Sequence, residues 1–194
     1  GLQSGLDVGC GEHSLLSGLR REGFRSTGID ANEGMLESAR KNGIHDEFIL
    51  GEFMTHRFRR CFEVVVMSHV IEHFTREEGF RALARAEELA SRLVYVETPR
   101  GFREQPALYG NPFQKHLSGW RPADFEARGY TVFGSGVRGM RGTAGRARWL
   151  PEALTRGVER SLQWLVFRRP NLADSICALR LKDEEAPGGG NVRA

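Results

Sequence analysis

Apolar positions along this chain come in short unbroken runs, separated by stretches whose apolar residues recur every three or four positions. Residues 5–8, 27–30, 47–50, 62–67 and 93–97 read as strands, and 15–21, 34–41 and 77–90 as amphipathic helices. That alternation predicts an α/β fold, a doubly wound and mostly parallel sheet with helices on both faces. The run Phe62-Glu63-Val64-Val65-Val66-Met67 is apolar at nearly every position, so it belongs at the centre, covered on both sides. On 77–90 the pattern sets Phe80, Leu83 and Ala84 on one face and leaves Arg81, Arg85 and Glu88 to water. A Gly/Pro-bearing loop, 99–120, leads to a short helix, 122–128, stopped by Gly129. Residues 130–137 and 175–181 read as strands that close the sheet as an antiparallel pair.

Between those last strands lies an insertion, about 138–170. Its first part, 138–148, is rich in Gly and Arg and reads as mobile, whereas 151–167 predicts a helix with Leu154, Val158, Leu162 and Leu165 along one stripe. Most apolar helix stripes are core, so the helix is expected to pack on the domain by that stripe. Arg146, Arg148, Arg156, Arg160, Arg168 and Arg169 offer a different use, peripheral contact with an anionic membrane surface or an acidic substrate. Residues 1–182 are expected to form one domain and 183–194 a disordered tail, with no internal repeat.

Composition narrows the picture modestly. A chain of 194 residues with 40% hydrophobic content holds one well-buried core and is short for two. The formal net charge of +3, carried mostly by arginine, does not by itself imply nucleic acid. Cys10, Cys61 and Cys177 form no CxxC pair or disulfide framework, no apolar run is long enough to span a bilayer, and no signal pattern opens the chain. A cytoplasmic location is expected, and the oligomeric state is left open. The first residue is Gly and a strand follows almost at once, so an upstream segment that covers the ligand site is expected.

The chemistry concentrates where runs end. Leu6-Asp7-Val8-Gly9-Cys10-Gly11 is an apolar strand entering a Gly-x-Gly turn, which lets backbone approach a ligand where a Cβ would intrude. Asp30 ends the next run and can accept hydrogen bonds from both hydroxyls of a ribose. A dinucleotide pattern asks for a third Gly at the position of Ser14, and its pyrophosphate would sit poorly beside Asp7. In an S-adenosylmethionine site, Asp7 instead faces the cationic methionine end of the cofactor. Cys10 reads as packing, because no neighbouring base would activate it.

Asp7-Val8-Gly9-Cys10-Gly11, Asp30-Ala31, Gly51-Glu52-Phe53 and Ser68-His69-Val70-Ile71-Glu72-His73-Phe74, in this order, resemble the motifs of class I S-adenosylmethionine-dependent methyltransferases. The resemblance implies a seven-stranded sheet ending in an antiparallel hairpin. It also implies S-adenosylmethionine as cofactor, with Asp7, Gly9, Cys10, Gly11, Asp30, Ala31, Glu52, Phe53, Ser68 and His69 at its site. His13 stands where the family commonly shows a further Gly.

Methyl transfer from a sulfonium is an in-line displacement, so the protein must align the nucleophile and take its proton. His73 and His116 are the candidate catalytic bases. If 69–73 begin a helical turn, His69, Glu72 and His73 share one face, and with His116 they would suit a divalent metal such as Zn, Mn or Fe. The run His69-Val70-Ile71-Glu72-His73, with Thr98-Pro99 and His116, resembles the metal-dependent branch of the family, which has Glu at the position of His69. That branch includes ubiquinone-biosynthesis O-methyltransferases and enzymes that methylate the terminal 2′-hydroxyl of small RNAs. His13, His45 and His56 read as surface residues.

The loop 101–120 is expected to form the acceptor wall, with Phe102, Tyr109, Phe113 and Trp120 offering apolar surface and Arg100, Arg103, Gln105, Asn111, Gln114 and Lys115 polar contacts. The resulting expectation is O-methylation of a small metabolite or glycan-like hydroxyl. An RNA 2′-hydroxyl is the nucleic-acid alternative, and a domain that binds cofactor or partner without turnover is the third.

Overall fold

The computed structural model describes residues 1–19, 23–107, 110–140 and 149–182. Residues 141–148 of the 138–148 stretch expected to be mobile, with Arg146 and Arg148 among them, lie outside the described residues, as do the tail 183–194 and Tyr109. Seven strands, β1 (Ser4–Val8), β2 (Arg25–Asp30), β3 (Glu47–Leu50), β4 (Phe62–Ser68), β5 (Ala90–Pro99), β6 (Thr131–Val137) and β7 (Ala173–Leu181), form one sheet in the order β3-β2-β1-β4-β5-β7-β6. The first five are parallel, and β7 runs antiparallel to both β5 and β6. The expected doubly wound sheet with its antiparallel closing pair is therefore present.

The parallel register sends the carboxyl ends of β1, β2, β3, β4 and β5 to one rim. β4 sits in the middle, and its alternating side chains explain why the sequence is apolar throughout. Val65 and Met67 enter the larger core cluster, while Val64 and Val66 join Leu16 and Phe24 on the opposite face. Burying each such side chain contributes about 1.5–3 kcal/mol.

Helices α1 (Glu33–Lys41), α2 (Arg76–Leu89), α3 (Pro122–Glu126) and α4 (Glu152–Arg168) connect the strands. Asn32 caps α1 through the Met35 amide, and Thr75 with Glu78 forms a capping box on α2. Over its described residues the predicted helix at 15–21 is a 3-10 turn, Leu15–Leu19, with Leu16 buried.

Two expectations about helix faces are corrected. On α2 the buried side is Gly79, Ala82, Leu83 and Ala86, small enough to bring the helix close to the sheet. Phe80 and Ala84 lie at its margin, and Arg85 is not left to water, because its guanidinium donates to the carbonyl oxygens of Phe53 and His56. On α4 the predicted stripe does not face the core. Leu154 is 58% exposed, and Leu162 and Leu165 are exposed as well. The helix lies against β6 by its other side, where Thr155 and Val166 are buried and Gln163 bonds the Gly134 carbonyl and the Gly136 amide.

Candidate active site

The rim begins with the turn after β1. Gly9 and Gly11 have φ of 59° and 50°, the left-handed region that glycine adopts without strain. The amides of Gly9 and Cys10 both donate to the Ile29 carbonyl, which folds the turn over the end of β2. A Cβ on Gly9 would lie 2.7 Å from Val70, so this glycine also lets the segment after β4 pack against the turn.

Asp30 closes β2 with its carboxylate fixed from behind. One oxygen accepts the Gly11 amide at 2.9 Å and the other the Asn32 amide at 2.8 Å. Each oxygen keeps further lone-pair capacity toward the rim. Asp7 sits deeper, 3% exposed, accepting a hydrogen bond from the Ser14 hydroxyl at 2.5 Å. Cys10 is buried as the packing residue expected, and burial first, then Asp7 and Asp30, pushes its thiol up to about 12. Ala31 and Ser68 are half-buried at the rim, and the Ser68 hydroxyl donates to Glu97 at 3.3 Å. Glu52 is exposed, whereas the Phe53 ring belongs to the core beside Phe58 and under the Arg85 guanidinium.

His45 overturns its sequence reading as a surface residue. It is 4% exposed, its Nε2 stands 3.5 Å from the Asp7 carboxylate, and neither ring nitrogen makes a hydrogen bond. Room for the ring comes from Gly28, where a Cβ would approach His45 to 2.5 Å. A glycine inside a strand is the signal that would have found this contact.

The catalytic candidates come from three segments. β4 runs into His69, whose φ of 55° makes it the sole non-glycine with positive φ among the described residues. The chain then tightens into a 3-10 turn, Ile71–His73. From the next strand Thr98 donates to the Glu72 carboxylate at 2.9 Å, and the amides of Leu117 and Ser118 donate to the Glu72 carbonyl, drawing the end of the loop onto the turn. Glu72, His73 and His116 thereby each bring one ligating atom within 4.8 Å of the others. His69, expected as a fourth member, is not in this group. It stands beside it, with Nδ1 3.2 Å from Glu72 and Nε2 4.0 Å from Glu97.

Main-chain carbonyls fix both rings of the trio. Nδ1 of His73 lies 3.1 Å from the Lys115 carbonyl and Nδ1 of His116 lies 2.7 Å from the Arg103 carbonyl. A carbonyl can only accept, so each Nδ1 carries the proton and each neutral ring keeps Nε2 bare. Burial above all holds His73 below the ordinary histidine range. Glu72 is 2% exposed, and burial alone would raise its carboxyl. The hydrogen bond from His69, the turn's own backbone and the charge of His69 outweigh that and hold it low. The same pairing with Glu72 raises His69 against the effect of burial.

Trp120 anchors the loop that brings His116 home. Its ring is fully buried, its Nε1 donates to Ser118 at 2.9 Å, and it meets α2 where Gly79 leaves space. Arg76 stacks 4.4 Å above that ring and forks onto Asp124. Trp120 was expected to offer surface to an acceptor. It is instead an internal pin, while Phe102 and Phe113 are the exposed aromatics of the loop.

The sequence model of the methyltransferase domain family matches residues 6–91, which span the turn, Asp30 and the trio's first two members. A ubiquinone biosynthesis O-methyltransferase of Rickettsia prowazekii (strain Madrid E) is 26% identical over 121 residues, covering 60% of this chain and 48% of that protein. The chain thus spans about half the length of this relative. Among solved structures, a magnesium protoporphyrin IX methyltransferase from Synechocystis PCC 6803 with bound SAM has a TM-score of 0.56 at 17% identity, covering 94% of this chain and 71% of that one. A SAM-dependent methyltransferase from Archaeoglobus fulgidus has a TM-score of 0.58 at 18% identity, covering 94% and 87%. Residues 6–91 therefore carry the sequence signature of a methyltransferase domain, and the sheet as a whole shares the fold of these S-adenosylmethionine-dependent methyltransferases.

Proposed function

We propose that this chain transfers a methyl group from S-adenosylmethionine to a hydroxyl of a small acceptor, a metabolite or glycan-like molecule, at a centre formed by Glu72, His73 and His116. The observation that carries this reading is the convergence of one ionised carboxylate and two bare imidazole nitrogens on the rim that also bears the glycine turn and Asp30. The turn and the anchored Asp30 carboxylate fit the cofactor's nucleoside, since the first offers close backbone approach and the second spare lone pairs for ribose hydroxyls. S-adenosylmethionine supplies an already activated methyl group, which leaves the chain to orient the acceptor and handle its proton.

The trio also fits a divalent cation. Buried ligands whose Nδ1–H groups are tied to carbonyls are pre-oriented, and a mixed nitrogen and carboxylate set suits Zn, Mn or Fe better than Mg. Glu72, His73 and His116 would hold it, and a bound cation lowers the pKa of a coordinated hydroxyl. Thr98 and His69 orient Glu72, and the Leu117 and Ser118 amides lock the turn to the loop. In a metal-free centre, Nε2 of His73 or His116 takes the acceptor proton itself. Phe102 and Phe113, exposed on the same loop as His116, support a small acceptor with apolar surface. The free thiols Cys10, Cys61 and Cys177 support a reducing, cytoplasmic setting.

Calorimetric titration of the metal-stripped protein with S-adenosylhomocysteine, repeated with Zn or Mn, tests both parts. Cofactor binding is expected in either condition, weakened by about 10- to 100-fold in Asp30→Ala, the worth of a hydrogen-bonded charged group. Cation binding should be stoichiometric and lost in His116→Ala. A folded protein that binds no S-adenosylhomocysteine would sink the proposal, and cofactor binding without cation binding would assign the proton to His73 or His116.

A further inference from the structure

Helix α4 wears its amphipathicity inside out. The line it turns toward β6 is Thr155, Glu159, Gln163 and Val166, three of them polar, all buried or half-buried. The opposite line, Leu154, Ser161, Leu165 and Arg168 with Trp164 beside it, is exposed. Trp164 is 65% exposed, and Trp149, just ahead of the helix, 73%. Of the 15 large hydrophobic residues exposed among the described residues, eight fall between 149 and 172, so the apolar surface is concentrated here rather than scattered. Such a patch marks an interaction surface.

We propose that this face docks on an anionic lipid surface, lying in the headgroup region without crossing it. Charge and side-chain type choose that occupant. Arg156, Arg160, Arg168 and Arg169 are exposed on or next to the helix, and its two acids are Glu152, which pairs with Arg156 at 3.0 Å, and Glu159 on the inward line. Arg168 stacks over Trp164 at 4.7 Å, placing a cation and an amphipathic ring together on the outer surface. Leucines flanked by tryptophan and arginine make the composition of an interfacial helix. No helix among the described residues is long and apolar enough to cross a membrane.

The position gives the docking a consequence. β6 runs parallel to β5, so the insertion leaves the sheet at Val137 and re-enters at Ala173 on the rim that carries the site. The Arg100 side chain, one residue past β5, donates to the Ala173 carbonyl at 2.8 Å. A lipid surface under α4 therefore lies beside the acceptor's approach, whatever reaction the rim performs.

Co-sedimentation of the full chain with vesicles of phosphatidylcholine alone, or with added phosphatidylglycerol, tests the proposal without any assay of activity. Binding is expected only to the anionic vesicles, weakening as salt rises. The emission of Trp149 and Trp164 should shift to the blue and be quenched by brominated acyl chains, while the buried Trp120 does not respond. Trp164→Ser with Leu165→Ser should lower partitioning about tenfold or more at unchanged melting temperature. Arg160→Glu and Arg168→Glu should each lower it about fivefold. Equal binding to neutral and anionic vesicles, or none to either, would overturn the proposal. So would light scattering that shows a dimer dissolved by Leu154→Ser with Trp164→Ser, since a second copy of the chain would then occupy the face.

Discussion

Helices α2 and α4 both lie along the sheet, yet they use their apolar residues in opposite ways. α2 presents Gly79, Ala82, Leu83 and Ala86 to the core, and even its Arg85 is tied back to the carbonyl oxygens of Phe53 and His56, so its pattern is spent on the fold. α4 holds to the sheet edge through a glutamine, a threonine and a valine and turns leucines and a tryptophan away. Periodicity measures that a helix has an apolar side, and only packing decides whether that side faces inward. The contrast separates a helix packed into the core behind the candidate site from one that leaves its apolar side outside the fold.

A matched pair of tryptophans breaks or confirms this contrast most sharply. Trp120→Ala should cost about 3–5 kcal/mol in urea or thermal unfolding, because it empties a fully buried site against α2. Trp164→Ala should stay within about 0.5 kcal/mol of the parent. Equal losses would mean that α4 is core after all.

A pair of glycines tests the same division with opposite signs. Gly79→Ala would place a Cβ 2.4 Å from Trp120 and should destabilise by about 1–3 kcal/mol, shifting the loop that carries His116 and weakening cation binding with it. Gly157→Ala meets nothing within 4 Å and should stabilise by about 0.5–1 kcal/mol through helix propensity, leaving cation binding unchanged. Melting curves and a Zn titration on both variants decide it.

Smaller effects follow from protonation. Cation affinity should hold near pH 7 and decline in acid, because protons compete with the cation for the ligating nitrogens. Burial holds His73 low, so its Nε2 stays bare to lower pH than in a free histidine. A titration of affinity that rises toward acid would contradict the assignment. Thiol alkylation near pH 8 should mark the exposed Cys61 quickly and spare the buried Cys10, whose thiol is pushed to about 12. Fast labelling of Cys10 would show that the turn opens.

Much of this was legible in the residues. Unbroken apolar runs located the five parallel strands to within a few positions, since a buried parallel strand has little choice of side chain. The glycine turn and Asp30 stood out because backbone approach restricts which residues can occupy those positions. The trio was half legible. Glu72 and His73 are near neighbours in sequence, but His116 arrives through Trp120 and the amide contacts of Leu117 and Ser118, which no local spacing reveals. His69 shared the sequence spacing and missed the cluster, because the turn is 3-10 and the left-handed backbone at His69 swings it toward Glu97. His45 was hidden by distance, since it lies in the loop before β3 and the glycine that makes room for it lies on β2.

The place of β7 carries one more consequence, for synthesis. It is the last strand of the described chain, yet it sits inside the sheet between β5 and β6. A ribosome delivering this chain exposes the edge of β5, with its apolar Val94 and Val96, until residues up to Leu181 have emerged. For that interval the nascent sheet has an unpaired border of the kind that recruits other strands. Closing it requires the whole of the insertion before β7 to be made first, a loop-closure delay that favours holding the border by a chaperone or by slow, temperature-sensitive expression.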